Sequence, residues 1–211
     1  MIISSFINIT NVQLQGKLVT IEVNNKKWDA GGVPLWNYFI NAKNIDFKDI
    51  DKMLDLGNDA VAEIVVGGMN ISSNKGIILV LNGLTGAVVR MKHVPHKVSQ
   101  IIAVQDYTGD SQQEIVFFDN NYDVHCLNGI NGSYIWNFKG TAIIYYISEG
   151  DDANNGGYRD ILVEFGPLHK LFCLNGLSGI EIWNSTFTDQ VVKVKKFQDV
   201  NSDGISEVMV G

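Results

Sequence analysis

Cysteine, proline, long apolar runs and positive charge are all in short supply in this chain, and each shortage removes a class of protein. Two cysteines in 211 residues cannot make a disulfide framework. No apolar run approaches the roughly 18 residues that a membrane-crossing helix needs, so membrane insertion is not expected. Lysine and arginine number 16 against 23 acids, a net charge of −7. Apart from "KVKK" at 193–196 the basic residues are scattered, so no nucleic-acid partner is expected. The start "MIISSFINITNVQLQGKLVT" lacks a basic region and a small-residue cleavage site; either the protein is cytoplasmic or a leader precedes this start. No stretch of useful length carries the 3.6-residue period of an amphipathic helix.

What is present is an ordinary globular composition, 45% hydrophobic, and repetition. "LNGLTGAVVR" from Leu81 returns as "LNGINGSYIW" from Leu127 and "LNGLSGIEIW" from Leu174, at intervals of 46 and 47 residues. Glu63, Glu114, Asp160 and Glu207 keep step, each opening an apolar strand, with five extra residues in the polar loop at 67–76 accounting for the one longer interval. In the second copy the strands read as "SQIIAVQD" (99–106), "EIVFFD" (114–119), "DVHCLN" (123–128) and "SYIWNF" (133–138). An Asn-Gly at the third turn suits a tight hairpin through its access to positive φ.

Four antiparallel strands in about 46 residues is the mark of a propeller blade. One all-β domain over 1–211 is expected, with units at approximately 43–92, 97–139 and 141–187 and a composite fourth made of 190–211 plus 13–39. Strands from the two ends would share one sheet, leaving no unpaired edge. The alternatives are half of an eight-bladed ring, completed by a homodimer, or a fragment of a larger propeller. Trp136 and Trp183, matched by Trp36, are expected to plug the spaces between units. Arg90 stands at the same place in the first unit, so its contact should differ. Cys126 and Cys173 occupy equivalent core positions and are not expected to pair.

Acidic loops join strands one and two of each unit. Asp199, Asn201, Asp203 and Glu207 present oxygens at positions 1, 3, 5 and 9, with Gly204 at position 6 and the Ile205 carbonyl available. Hard oxygens converging from a tight loop are what calcium requires. Asp106, Thr108, Asp110, Gln112 and Glu114 repeat the spacing, with Ser111 in place of the glycine. The sets Asp55, Asp59, Glu63 and Asp152, Asn154, Asp160 are poorer, having Gly57 and Gly156 where an oxygen ligand is wanted. Ca2+ is expected first at 199–207 and next at 106–114; the plainer reading is that Asp and Asn cap their own turns.

"DVNSDGISEVMVG" and "DYTGDSQQEIVFF" resemble the calcium-loop and strand signature of FG-GAP (integrin-alpha-type) repeats. "LNGINGSYIW" and "LNGLSGIEIW" resemble strands three and four of PQQ-type propeller repeats. The resemblance covers about 43–211 and, more loosely, 13–39. It implies a propeller with calcium between strands one and two and a role in adhesion, assembly or ligand display, with a protein or carbohydrate as partner.

The enzyme alternative is a quinoprotein-like dehydrogenase or a glycan-active enzyme working on the central axis. Against it, Cys126 and Cys173 are not adjacent, the inner strands carry few acids, and no G-x-S-x-G, P-loop or G-x-G-x-x-G is present. His93 and His96 flank Pro95 in "KHVPHK" and read as a surface turn rather than a zinc site. No catalytic residue is expected. An extracellular or cell-surface setting follows from calcium supply, with the cytoplasm as the alternative. N-x-[ST] triplets at Asn8, Asn70, Asn131 and Asn184 add little, because such triplets arise by chance in an Asn-rich chain.

Overall fold

Alternating apolar side chains and frequent turn residues leave each repeat one way to bury itself, as a small antiparallel sheet with both faces covered. A computed structural model describes residues 45–191 and 193–211 together with two strands at 19–22 and 37–40. Strands β1 (Val19–Glu22) and β2 (Asn37–Ile40) pair antiparallel. Three four-stranded sheets follow. The first holds β3 (Ile45–Met53), β4 (Glu63–Asn70), β5 (Lys75–Leu81) and β6 (Val88–Val94); the second holds β7 (Val98–Val104), β8 (Glu114–Asp119), β9 (Val124–Leu127) and β10 (Tyr134–Phe138). The third holds β11 (Ile144–Glu149), β12 (Ile161–Phe165), β13 (Lys170–Leu174) and β14 (Glu181–Thr186), and the chain ends with the pair β15 (Val194–Lys196) and β16 (Val208–Val210). Within each full sheet the strands lie in chain order and antiparallel, and β4, β8 and β12 are buried at nearly every residue.

The sheets stack face to face. Val65, Ile78 and Val80 of the first unit meet Ile101, Ile115 and Phe117 of the second. Val116, Phe118, Cys126 and Trp136 of the second meet Ile147, Ile161, Val163 and Phe165 of the third. Leu162, Leu171 and Cys173 of the third meet Val194 of the C-terminal pair and Val191, which precedes it. Cys126 and Cys173 are free and buried.

First strands lie next to first strands, which makes them the inner edge of the arc. Side chains, not backbone pairs, bridge them. Asp49 and Asp51 accept from the N–H of Ile101 and Ala103 at 3.0 and 2.9 Å. The Gln100 amide both receives the Ile147 N–H and donates to the Ile147 carbonyl, at 2.8 and 3.0 Å. Side chains thus link neighbouring inner strands that share no backbone ladder. The expected composite unit is present in its halves and not as one sheet: β1–β2 and β15–β16 are separate two-stranded sheets. The rest of the expected N-terminal half, and Trp36, lie outside the described residues.

The third turn departs from the Asn-Gly expectation in an informative way. Positive φ falls on the second glycine of each L-N-G-x-x-G turn, Gly86, Gly132 and Gly179, at 72, 71 and 70°. The glycine after asparagine is needed for space: a Cβ on Gly83, Gly129 or Gly176 would sit 1.9, 1.8 or 2.0 Å from the carbonyl oxygen of Ala62, Gln113 or Arg159. The "LNG" motif therefore marks a place where two backbones touch.

Candidate metal-holding loops

Antiparallel order puts the loops between strands one and two and the turns between strands three and four at the same end of every unit. All four acidic loops share one backbone form. Positions 4 and 6 have positive φ in each: Asn58 and Ala60, Gly109 and Ser111, Asn155 and Gly157, Ser202 and Gly204. The position-1 aspartate produces this form by accepting N–H groups from its own loop. One oxygen takes the position-6 N–H every time, from Ala60, Ser111, Gly157 and Gly204, at 2.7, 2.7, 2.7 and 2.9 Å. The position-5 carboxylate takes the position-7 N–H, as Asp59 from Val61, Asp110 from Gln112 and Asp203 from Ile205. Glycine at position 6 is thus dispensable, since Ser111 (φ 69°) and Ala60 (φ 65°) adopt the same conformation under that bond.

The 106–114 loop brings its acids together. Ligand atoms of Asp106, Asp110 and Glu114 lie within 4.8 Å of one another. Thr108 donates its hydroxyl to Glu114 at 2.8 Å. Burial opposes ionisation of Asp106, but the N–H groups of Ser111, Gly109, Thr108 and Asp110 outweigh it and hold the carboxyl below the usual range. Glu114 is fully buried and is pushed up by burial, although Gly129 and Thr108 donate to it. Gln112 turns its side-chain amide to the Asp55 carbonyl of the preceding loop at 3.2 Å, leaving its own buried Oε1 without a partner.

Turns from strands three and four lock this loop from behind. Asn128 donates to Asp110 at 2.7 Å and to Thr108 at 3.2 Å, and the Gly129 N–H reaches Glu114 at 2.7 Å. The first unit has the same tether, Asn82 to Asp59 at 2.7 Å, and the third keeps Gly176 to Asp160 at 3.1 Å. The acid that opens strand two is therefore both a candidate ligand and the brace of the neighbouring turn. Reading each motif on its own missed this link; the shared interval of the two motifs was the signal.

In the 199–207 loop the expected ligands are present and differently occupied. Asp199 accepts from Ser202 and Gly204 at 2.6 and 2.9 Å, the Asn201 amide sits on Asp203 at 3.0 Å, and Glu207 takes the Val200 N–H at 2.8 Å. Ile205 is half-buried, donates to Asp203 and lines a cavity beside the third unit. Asp199, Asp203 and Glu207 do not form a group as tight as that of the second loop.

A cluster that sequence reading passed over lies at the opposite end, where Asp119, Asp123 and His125 surround the turn between β8 and β9. His125 stacks on Phe117 at 4.7 Å and bonds Asp119 at 3.0 Å and Asn137 at 2.6 Å. Burial works against its protonation, yet these partners raise its pKa. His93 and His96 are exposed and belong to neither group.

Between units, a single position repeats a contact. Trp136 donates its indole N–H to the carbonyl of Gly176 in the next unit's turn at 2.7 Å, and Arg90 donates its guanidinium to the equivalent Gly129 carbonyl. The donor differs in kind; the acceptor does not.

No protein-family model matches the chain, and no curated protein does. Solved structures do. BBS1N, crystallised in complex with ARL6DN, aligns over 92% of this chain and 56% of its own at a TM-score of 0.63 and 14% identity. BamB from Moraxella catarrhalis aligns over 87% and 51% at 0.52 and 14%. A protein of unknown function from Bacteroides caccae aligns over 86% and 64% at 0.51 and 16%. The chain thus spans about half to two thirds of the structures it resembles. These are β-propeller-type proteins, and the likeness, with the stacked four-stranded sheets, shows the fold of this chain to be that of a β-propeller.

Proposed function

We propose that this chain is a non-catalytic interaction or assembly module of the FG-GAP type, stiffened by calcium in its acidic loops. The observation that carries the reading is the convergence of Asp106, Asp110 and Glu114 on a loop whose backbone form recurs four times. Calcium takes six to eight oxygens. Asp106, Asp110, Glu114 and the Thr108 hydroxyl supply a first set, and water would complete it. Modest denticity suits a compartment rich in the ion, which favours an extracellular or cell-surface setting. A partner protein is favoured over a glycan because BBS1N, a propeller-type neighbour, was crystallised with a protein bound.

Inner-edge chemistry supports a non-catalytic role. Burial raises the pKa of Asp49 and Asp51, as in many active sites. Each of these carboxylates nevertheless accepts a backbone N–H from the neighbouring inner strand, so its geometry is explained by holding units together. A melt with and without metal tests the reading. EDTA should lower the melting temperature and calcium should restore it, by about 2.7 kcal/mol at a hundredfold excess over Kd. An identical melt in both buffers would retire calcium and leave the fold untouched.

A further inference from the structure

One position on the second strand of each unit meets the unit that follows. Gly67, Phe118 and Glu164 stand there, each at the same distance beyond Glu63, Glu114 and Asp160. In the first unit a Cβ on Gly67 would sit 2.5 Å from Val98 of the second. In the second, Phe118 packs in one cluster with Ile144 and Ile147 of the third. In the third, Glu164 shares its face with Leu162 on its own strand and with Leu171, its partner across the ladder. Both of these cluster with Val191 and Val194 of the segment that opens the C-terminal pair. A carboxyl group therefore occupies a seat that holds a hydrogen and a phenyl ring in the other two units.

Glu164 is wholly buried, and neither of its carboxyl oxygens has a hydrogen-bond partner among the described residues. The titratable side chains on its face are Tyr146, paired with it on β11, and Cys173 on β13. Burial raises both, with Asp49 and Asp51 adding to the shift of Tyr146, so each is neutral. Ser148, on the same face of β11, is likewise without a partner. From the covering pair, Lys193 and Lys195 flank Val194 and are exposed. Burial alone pushes Glu164 up to about 7. The contact is loosely filled beside it, where Leu162 and Cys173 line a cavity of about 270 Å³ with Trp183 and Val208. A second tie between the same two elements does not titrate near neutrality. Asp151 accepts the Ser206 N–H at 3.0 Å and pairs with Lys196 at 3.0 Å, and Ser206 and Lys196 hold its carboxyl at about 2.

We propose that Glu164 is a proton-operated latch between the third unit and the β15–β16 pair. With its proton on, the carboxyl lies in the apolar contact and the pair is held down. Ionised and unpaired, it cannot stay there without a large desolvation cost, so the pair lifts and bares the face that carries Leu162, Leu171 and Cys173. Because the buried form holds its proton more tightly than an exposed glutamate, closure is strongest at low pH. It weakens as pH rises from the ordinary value of 4.5 and levels off above about 7. This inference takes nothing from calcium.

Cys126 calibrates the test, being a free, buried thiol at the equivalent place in the second unit. The native protein is alkylated with iodoacetamide in EDTA between pH 6 and pH 8, and mass spectrometry gives the ratio of the Cys173 rate to the Cys126 rate, which cancels the reagent's own pH dependence. The wild-type ratio should rise about tenfold over that range, by linkage between 4.5 and about 7. In Glu164→Gln, and in Glu164→Leu with an apolar side chain as at Phe118, it should stay level. A level ratio in the wild type would overturn the proposal. So would a rise that persists in both variants, which would move the pH dependence to another group, such as His169 where it touches the Thr188 carbonyl at 3.4 Å. Glutamine keeps the shape of the protonated side chain, so a Glu164→Gln protein that failed to fold would also contradict a neutral carboxyl in the closed contact.

Discussion

The 106–114 and 199–207 loops share a backbone, and only one of them gathers its acids. As a string of residues the later loop is the better calcium candidate, with Asp199, Asn201, Asp203, Gly204 and Glu207 all in place. In space the earlier loop is the tighter group. The difference lies behind the loops. Asn128 and Gly129 reach forward from the turn between strands three and four to fix Asp110 and Glu114. The C-terminal pair is a two-stranded sheet, and among the described residues no such turn reaches Asp203 or Glu207. A loop's own residues set its fold through the position-1 aspartate, whereas the aim of its side chains is set by a turn about 18 residues away in the chain, as Asn128 is from Asp110.

The comparison can be broken most violently at Gly129. A Cβ there would meet the Gln113 carbonyl at 1.8 Å and Met53 Cε at 2.6 Å, so Gly129→Ala should cost about 3 kcal/mol or more. Denaturant unfolding would register it as a lower midpoint, and an unchanged midpoint would show that the close approach is not needed.

Asn128→Ala is gentler and more specific. It removes the tether to Asp110 and the caps that Asn128 Oδ1 gives Ile130 and Asn131. The expected loss is roughly 1–3 kcal/mol. A more informative readout is calcium affinity, which should fall at the 106–114 loop until it behaves like 199–207. Equal affinity in the variant would mean that the turn does not aim the ligands.

The acid limb of stability offers a third test. Asp106 is held below the ordinary carboxylate range by its loop N–H groups, so its contribution is present above that range and lost as pH falls through the depressed pKa. Asp106→Asn should flatten the acid limb of a pH-stability curve measured without metal. A limb of unchanged slope would place the dependence elsewhere. Smallest of all, Ser111→Gly should stabilise by up to about 1 kcal/mol, because Ser111 holds φ 69° where 199–207 has Gly204.

Much of the architecture was legible in the residues. The intervals between Leu81, Leu127 and Leu174, with Glu63, Glu114 and Asp160 in step, place β3 to β14 as three four-stranded sheets. The acidic loops were legible as loops. Contacts that join one motif to another were not, because they depend on how far apart the inner strands are held. Arg90 illustrates this: a cation at an aromatic position suggests a different contact, yet it reaches the same glycine carbonyl that Trp136 reaches in the next unit. Gly83, Gly129 and Gly176 were read for turn angle and are needed for clearance. Union of the two terminal pairs into one sheet was expected from the repeat register, whereas β1–β2 and β15–β16 are separate two-stranded sheets.

Calorimetric titration of calcium into the wild type, Asp110→Ala and Asp203→Ala separates the two loops directly. If the turn behind the loop organises the site, the tightest binding step disappears in Asp110→Ala and survives in Asp203→Ala. Survival in Asp110→Ala with loss in Asp203→Ala, or no binding heat from the wild type, would contradict the account.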